Sequence, residues 1–293
     1  MGLHTSNRLR VAAIDFLNPA PLMWDFEHPP RNIALAQRYQ INYTLPSLCA
    51  EDLLAGRADL GLIPIASLTP SLAIVPGCSI ASLDRVRSIQ LIVKLKTRDA
   101  EAINQALAAI RTIAADTASR SSNAYAQILF RKFINTDPEF IPASADPFSM
   151  LARADAALLI GDPALLALES RERIESIAGP CLWIDLAHEW RTRTGLPWVA
   201  AVWAARPEAL NGVTPAQIID DLQQSRDHGL AHIDSLVEEW TSRIALPPAT
   251  IRNYLTGNIH YTLDQDCIAT IKLFRSYAAD AGILPALPDL RFL

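Results

Sequence analysis

Leu9-Arg10-Val11-Ala12-Ala13-Ile14-Asp15-Phe16-Leu17-Asn18-Pro19-Ala20-Pro21 is the stretch that decides the architecture. A short, mostly apolar run ends at a polar turn and then meets two prolines. Proline is favoured in the first turn of a helix, where its missing N–H leaves no bond unmade. The segment therefore reads as strand, tight turn, helix. The same grammar repeats downstream. Residues 39–45 read as a strand, Pro46-Ser47 opens a helix that Ala55-Gly56-Arg57 ends, and 58–64 is a third, buried strand. Alternating strands and helices are the mark of an α/β sheet.

The pattern continues through two further strands, 74–80 and 88–95. A new α/β unit then begins. It has a helix over 99–107, a strand at 112–115, a helix over 119–133 and a short strand at 139–141. A buried strand at 154–160 runs into a helix through Leu168, and a last strand is expected at 183–186. The hydrophobic strand 198–205 follows, and the chain from Thr214 onward is mostly helical, ending in a helix over 267–280 closed by Gly282. No flexible linker separates the units, so the hinge between them is expected to be made of strands.

Composition sets the limits. The chain has 293 residues, enough for two domains. Half of them are hydrophobic and 19% are charged, which suits a globular protein and excludes disorder. The net charge of -5 leaves no basic excess for nucleic-acid binding. No apolar run reaches the roughly 18 residues that span a bilayer, and the first ten residues lead into no signal-peptide core. Cys49, Cys78, Cys181 and Cys267 are scattered, without zinc or disulfide spacing, so a reducing cytoplasm is expected. Glycine-rich nucleotide loops, a serine-hydrolase elbow and a His-Glu-x-x-His helix are all missing, and neither cofactor nor metal is expected. His228 and His232 lie four apart without a third ligand and read as solvent-facing. Trp190, Trp198 and Trp203 read as core residues, one of which could line a cleft.

Four junctions carry the candidate chemistry, because ligands gather at the carboxyl ends of strands in open α/β sheets. Asn18 sits at the first turn, where its carboxamide could meet a ligand or simply cap the helix. Ser88 opens the crossover strand. Asp116 to Ser122 is a hydroxyl-rich helix start directly after a strand, and such a terminus attracts anions through its free N–H groups and dipole. Ser119, Ser121 and Ser122 would add donors there, and Arg120 a charge. At the fourth junction Gly161 would admit close backbone approach, and Asp162 would cap the following helix. Asp15, Asp116 and Asp162 are the carboxylates near the expected cleft.

Taken in order, these segments resemble the chorismate dehydratase family. The likeness begins at Ile14 to Leu22 and continues through 46–50, 56–64, 88–91, 116–122 and 154–165. It extends over 185–190, 194–206 and 254–263, almost the whole chain. It implies an α/β, two-lobed type II periplasmic-binding-protein-like fold with a ligand cleft between the lobes. Residues 1–93 and 198–293 would form one lobe and 94–197 the other. It further implies a hydro-lyase that removes water from chorismate, a small dicarboxylate, in menaquinone biosynthesis. Asn18 and Ser88 would be catalytic. Ser119, Arg120, Ser121, Ser122, Gly161 and Asp162 would bind substrate. The family usually has threonine at positions 19 and 121, where this chain has Pro19 and Ser121. The similar enzyme that acts on cyclic dehypoxanthine futalosine relies on a histidine, and no histidine lies in the four junctions. A non-catalytic solute-binding protein of the same fold is the remaining alternative.

Overall fold

A computed structural model describes residues 8–97, 100–287 and 289–293, with the side chains of 100–104 outside the description. Asp99, the expected start of the helix seen as Ala100–Ala109, also falls outside it. Eleven strands are present among the described residues: β1 (Leu9–Ile14), β2 (Tyr39–Thr44), β3 (Leu60–Pro64), β4 (Ala73–Ser82), β5 (Ile89–Lys94), β6 (Thr112–Asp116), β7 (Glu139–Ala143), β8 (Ala156–Ile160), β9 (Cys181–Asp185), β10 (Trp198–Ala205) and β11 (His260–Leu263).

They form two mixed sheets. The first has the order β11-β4-β10-β3-β1-β2 and the second β7-β6-β8-β5-β9. In the first sheet β1 pairs in parallel with β2 and β3, while β10 is antiparallel to both β3 and β4. In the second, β6 is parallel to β7 and β8, and β5 is antiparallel to β8 and β9. Parallel pairs need crossover helices, which cover both faces of each sheet. Accordingly β3 and β8 are buried at every position, and their sequences are continuous apolar runs rather than alternating ones.

The expected lobe boundary fell between residues 93 and 94, which would leave β5 with the first sheet. Its hydrogen bonds join it to β8 and β9, so the chain first crosses at 83–88, ahead of β5. An apolar strand reads alike in either sheet, and only its pairing decides. The second crossing, 186–197, contains the helix Leu186–Thr194. One carboxylate holds the two crossings together. Asp185 caps that helix by accepting from the N–H groups of Ala187 and His188, and it also accepts from Val86 and Arg87. The Arg87 bond is 2.7 Å long.

An aromatic cluster packs beneath the crossings. Tyr125 of the second unit lies 5.2 Å from Trp190 and 5.1 Å from Trp198, whose ring is 5.7 Å from Phe274. Pairs in this geometry add about 0.5–1.5 kcal/mol beyond their buried area. All four cysteines are buried, and none of them is in a disulfide. Among the described residues no helix is long and apolar enough to cross a membrane. Elements absent from the sequence reading include β11 and the helices Arg31–Leu35, Pro147–Arg153 and Arg171–Ala178. Each is short, and a few residues carry little periodicity.

Candidate active site

A cavity open to solvent, with about 560 Å³ of empty space counted to its mouth, lies between the two sheets, where the loops after β1, β6 and β8 meet the first crossing. Seven of the eight residues singled out in the sequence line it: Asn18, Ser88, Ser119, Arg120, Ser121, Ser122 and Gly161. The rest of the wall is largely apolar, including Ile14, Phe16, Ile80, Val86, Ile160 and Trp198. Trp198 is thus the tryptophan that reaches the cleft. Its neighbour in the cluster, Trp190, is fully buried away from it, as is Trp203.

Asn18 stands in the turn after β1. Its Oδ1 is buried and takes no hydrogen bond from the described protein atoms. The helix that follows is not capped by it: Pro19 occupies the cap position, with no side-chain cap bond. The bland reading of Asn18 as a helix cap is therefore removed, and its carboxamide is free for a ligand. A buried carbonyl oxygen left without a donor is costly, so a ligand donor there gains stability.

The hydroxyl-rich turn works partly for the protein and partly for the cleft. The Asp116 carboxylate accepts from Ala118 N–H at 2.9 Å, and Ser119 Oγ accepts from Ser122 N–H at 3.1 Å, which fixes the turn. Ser119 keeps its own O–H to donate. Ser121 spends its hydroxyl on the opposite unit, donating to Ala200 C=O at 3.0 Å and accepting from Ala66 N–H at 3.3 Å. Arg120 also reaches across, pairing with Glu51 at 2.8 Å. Both are half of a bridge between the units as well as cavity wall.

Gly161 lines the cavity, whereas Asp162 neither lines it nor caps the helix Gly161–Glu169. Gly161 has φ +62, a conformation that disfavours side chains, and what approaches it closely is the Phe16 ring of the other unit. A Cβ at this position would stand 2.6 Å from Phe16 Cε2. Asp162 does not line the cavity. Its carboxylate accepts Leu17 N–H at 3.0 Å, another contact between the units, and burial pushes the carboxyl up to about 6. Asp15 lies on the far side of Phe16, in a separate hollow with Glu27, Tyr43 and Arg243. Asp116 is buried in its turn, and burial raises its carboxyl above the usual range. Among the described residues that line the cavity there is no carboxylate, histidine or lysine.

Sequence reasoning missed Tyr254 as a site residue. It lies on a π-helical turn, Tyr254–Asn258, and its O–H donates to Ser88 Oγ at 2.8 Å. No local pattern marks it, because the contact joins residues 166 positions apart.

The two other histidine groupings are structural. His228 and His232 are both exposed, as expected, and each also has a partner: His228 bonds the Asp25 carboxylate at 2.9 Å, and His232 stacks on Trp24 at 4.5 Å. His260, Asp264 and Cys267 come close enough to share a metal ion. Asp264 also caps the helix Gln265–Asp280, and burial pushes the Cys267 thiol up to about 12.

Comparison with known proteins agrees with this geometry. A family model described as "Menaquinone biosynthesis" matches residues 9–280. A chorismate dehydratase of Thermus thermophilus is 27% identical over 271 residues, covering 89% of this chain and 93% of that protein. Among solved structures, a protein of Archaeoglobus fulgidus matches with a TM-score of 0.70 at 14% identity, covering 96% of this chain and all of that one. A Candida albicans protein with the generic periplasmic binding protein fold matches with a TM-score of 0.62 at 14% identity, covering 96% of this chain and 92% of that one. The aliphatic sulphonate binding protein of Escherichia coli has a TM-score of 0.64 at 12% identity, with 95% and 89% covered. These likenesses establish a periplasmic-binding-protein-like fold.

Proposed function

The chain belongs to the menaquinone biosynthesis family, and from that premise we propose that it is a chorismate dehydratase, a hydro-lyase acting in the cytoplasm. The observation that carries the reading is the polarity of the cleft. Its polar lining consists of neutral donors and one arginine, with no protein base among the described lining residues. Such a site suits a substrate that brings its own driving force and its own base.

Chorismate fits that description. It carries a ring carboxylate, an enolpyruvyl ether with a second carboxylate, and a ring hydroxyl. The ring carbon that bears the ether gives up its proton and the neighbouring carbon loses its hydroxyl. The two leave together as water, and the ring becomes aromatic, giving 3-[(1-carboxyvinyl)oxy]benzoate. A base must stand within hydrogen-bond reach of the proton it removes. In this reading the enolpyruvyl carboxylate is that base. Asn18 and Ser88 orient it and the departing hydroxyl. The Ser119–Ser122 turn, with its helix dipole and Arg120, holds the ring carboxylate. Apolar walls exclude water and strengthen each of these bonds. The two units act as lobes, the chain up to the first crossing with 198–293 against β5 through 185, and the bridges Arg120–Glu51, Ser121–Ala200 and Leu17–Asp162 close them over the ligand.

Incubating the protein with chorismate tests the reading. Loss of chorismate with growth of the aromatic product supports it. Tight binding with chorismate unchanged would make the protein a receptor. No response to chorismate, with turnover of cyclic dehypoxanthine futalosine, would make it the histidine-dependent relative, against a cleft whose described lining has no histidine.

A further inference from the structure

Ser88 and Tyr254 come from different units and meet in the interior. Ser88 ends the first crossing, directly before β5, and is 2% exposed, and Tyr254 is 1% exposed. The bond between them has a direction. Burial holds the Tyr254 phenol well above its ordinary range, so it keeps its proton at any working pH. That proton points to Ser88 Oγ at 2.8 Å. The serine backbone C=O is occupied as well, accepting Gly161 N–H at 2.8 Å. With one lone pair of Oγ filled from behind, the serine's own O–H is left to turn toward the cavity that Ser88 lines.

We propose that Tyr254 is a positioning residue that sets Ser88 as a hydrogen-bond donor to an oxyanion in the cleft. The proposal rests on the dehydratase reading above and deepens it. A hydroxyl that accepts one hydrogen bond becomes a stronger donor of the next, so the chain from Tyr254 through Ser88 to the ligand polarises toward the ligand oxygen. The oxyanion served is the substrate's enolpyruvyl carboxylate or the hydroxyl as it leaves. Ser88 acts here as a donor, not as a base: its proton moves toward the substrate, and the phenol behind it is no proton acceptor. Because Tyr254 belongs to the first unit and Ser88 to the second, the donor is set only when the two units are together.

The test is a double-mutant cycle with chorismate as substrate, using wild type, Tyr254→Phe, Ser88→Ala and the double variant. Phenylalanine keeps the ring and deletes only the hydroxyl. Tyr254→Phe is expected to lower kcat about tenfold with KM within about twofold, and to have no further effect in the Ser88→Ala background. A merely structural tyrosine would instead lower kcat by the same factor in both backgrounds, or leave it unchanged, and either result overturns the proposal. Thermal melts of all four proteins accompany the kinetics, and rates are compared at a temperature where all are folded. Wild-type turnover is read in the same assay. Its absence would overturn the functional reading and the proposal with it, whereas turnover with additive effects overturns the positioning role alone.

Discussion

Substituting Gly161 by alanine perturbs a close contact between the two units at a single carbon. The added Cβ would stand 2.6, 2.7 and 3.0 Å from three carbons of the Phe16 ring, and ordinary contact begins near 3.4 Å. The ring must therefore retreat by roughly 0.5–1 Å, and overpacking of this kind costs about 1–3 kcal/mol. The backbone adds a second cost, since φ is +62 and alanine in the left-handed region costs about 1–2 kcal/mol more than glycine. The two costs act differently. The backbone cost is present whether the units are together or apart. The clash exists only when Phe16 lies over residue 161, so it opposes closure alone. A penalty of about 1–3 kcal/mol on closure corresponds to about 5–150-fold in the closed population. Gly161→Ala is expected to lower kcat/KM for chorismate by a factor in that range, with a modest fall in melting temperature. Pairing it with Phe16→Leu, which shortens the offending ring, should recover part of the loss. A Gly161→Ala enzyme with wild-type kcat/KM would refute the reasoning, because the Phe16 contact would then have no bearing on the productive state.

Two further outcomes follow from single carboxylates. Burial raises Asp162 from its ordinary value to about 6, so the folded protein binds its proton more tightly than the unfolded chain does. Stability from this group is present below pH 4 and is lost as pH rises toward 6, a change of roughly 1–3 kcal/mol. Asp162→Asn should flatten that part of the stability–pH curve measured by urea unfolding, and an unchanged curve would contradict the assignment. Asp185 accepts four backbone N–H bonds that tie the two crossings together. Asp185→Ala leaves buried donors unsatisfied, at about 1–3 kcal/mol each, and should lower the melting temperature by 5 °C or more, by a rough estimate. A shift of under about 1 °C would mean that the crossings are held by other contacts.

What could be read from the sequence was local. Strand-to-helix junctions are written in consecutive residues, so Asn18, Ser88, the Ser119–Ser122 turn and Gly161 could be named in advance, and the cavity gathers them. Asp162 was found for the right place and the wrong neighbour, since it meets Leu17 rather than the cavity, a contact over 145 positions. Tyr254 escaped for the same reason. It sits at the end of a helix, on a π-helical turn that no local pattern marks, and its role exists only through Ser88. The sheet to which β5 belongs was equally hidden, because a buried strand carries no mark of its partners. Periodicity and turn chemistry fix elements, whereas pairing across a fold is a property of the assembled chain.

The central claim is that neutral donors in the cleft position the substrate for dehydration by its own carboxylate and that no protein carboxylate serves as base. The most direct measurement is chorismate turnover by Asn18→Ala and Ser88→Ala beside Asp15→Asn, Asp116→Asn and Asp162→Asn. The account predicts that the first two lose about 100-fold or more in kcat, as removal of a positioned donor does, while the three aspartate variants stay within about tenfold of wild type. An aspartate variant without turnover, with Asn18→Ala and Ser88→Ala fully active, would contradict it.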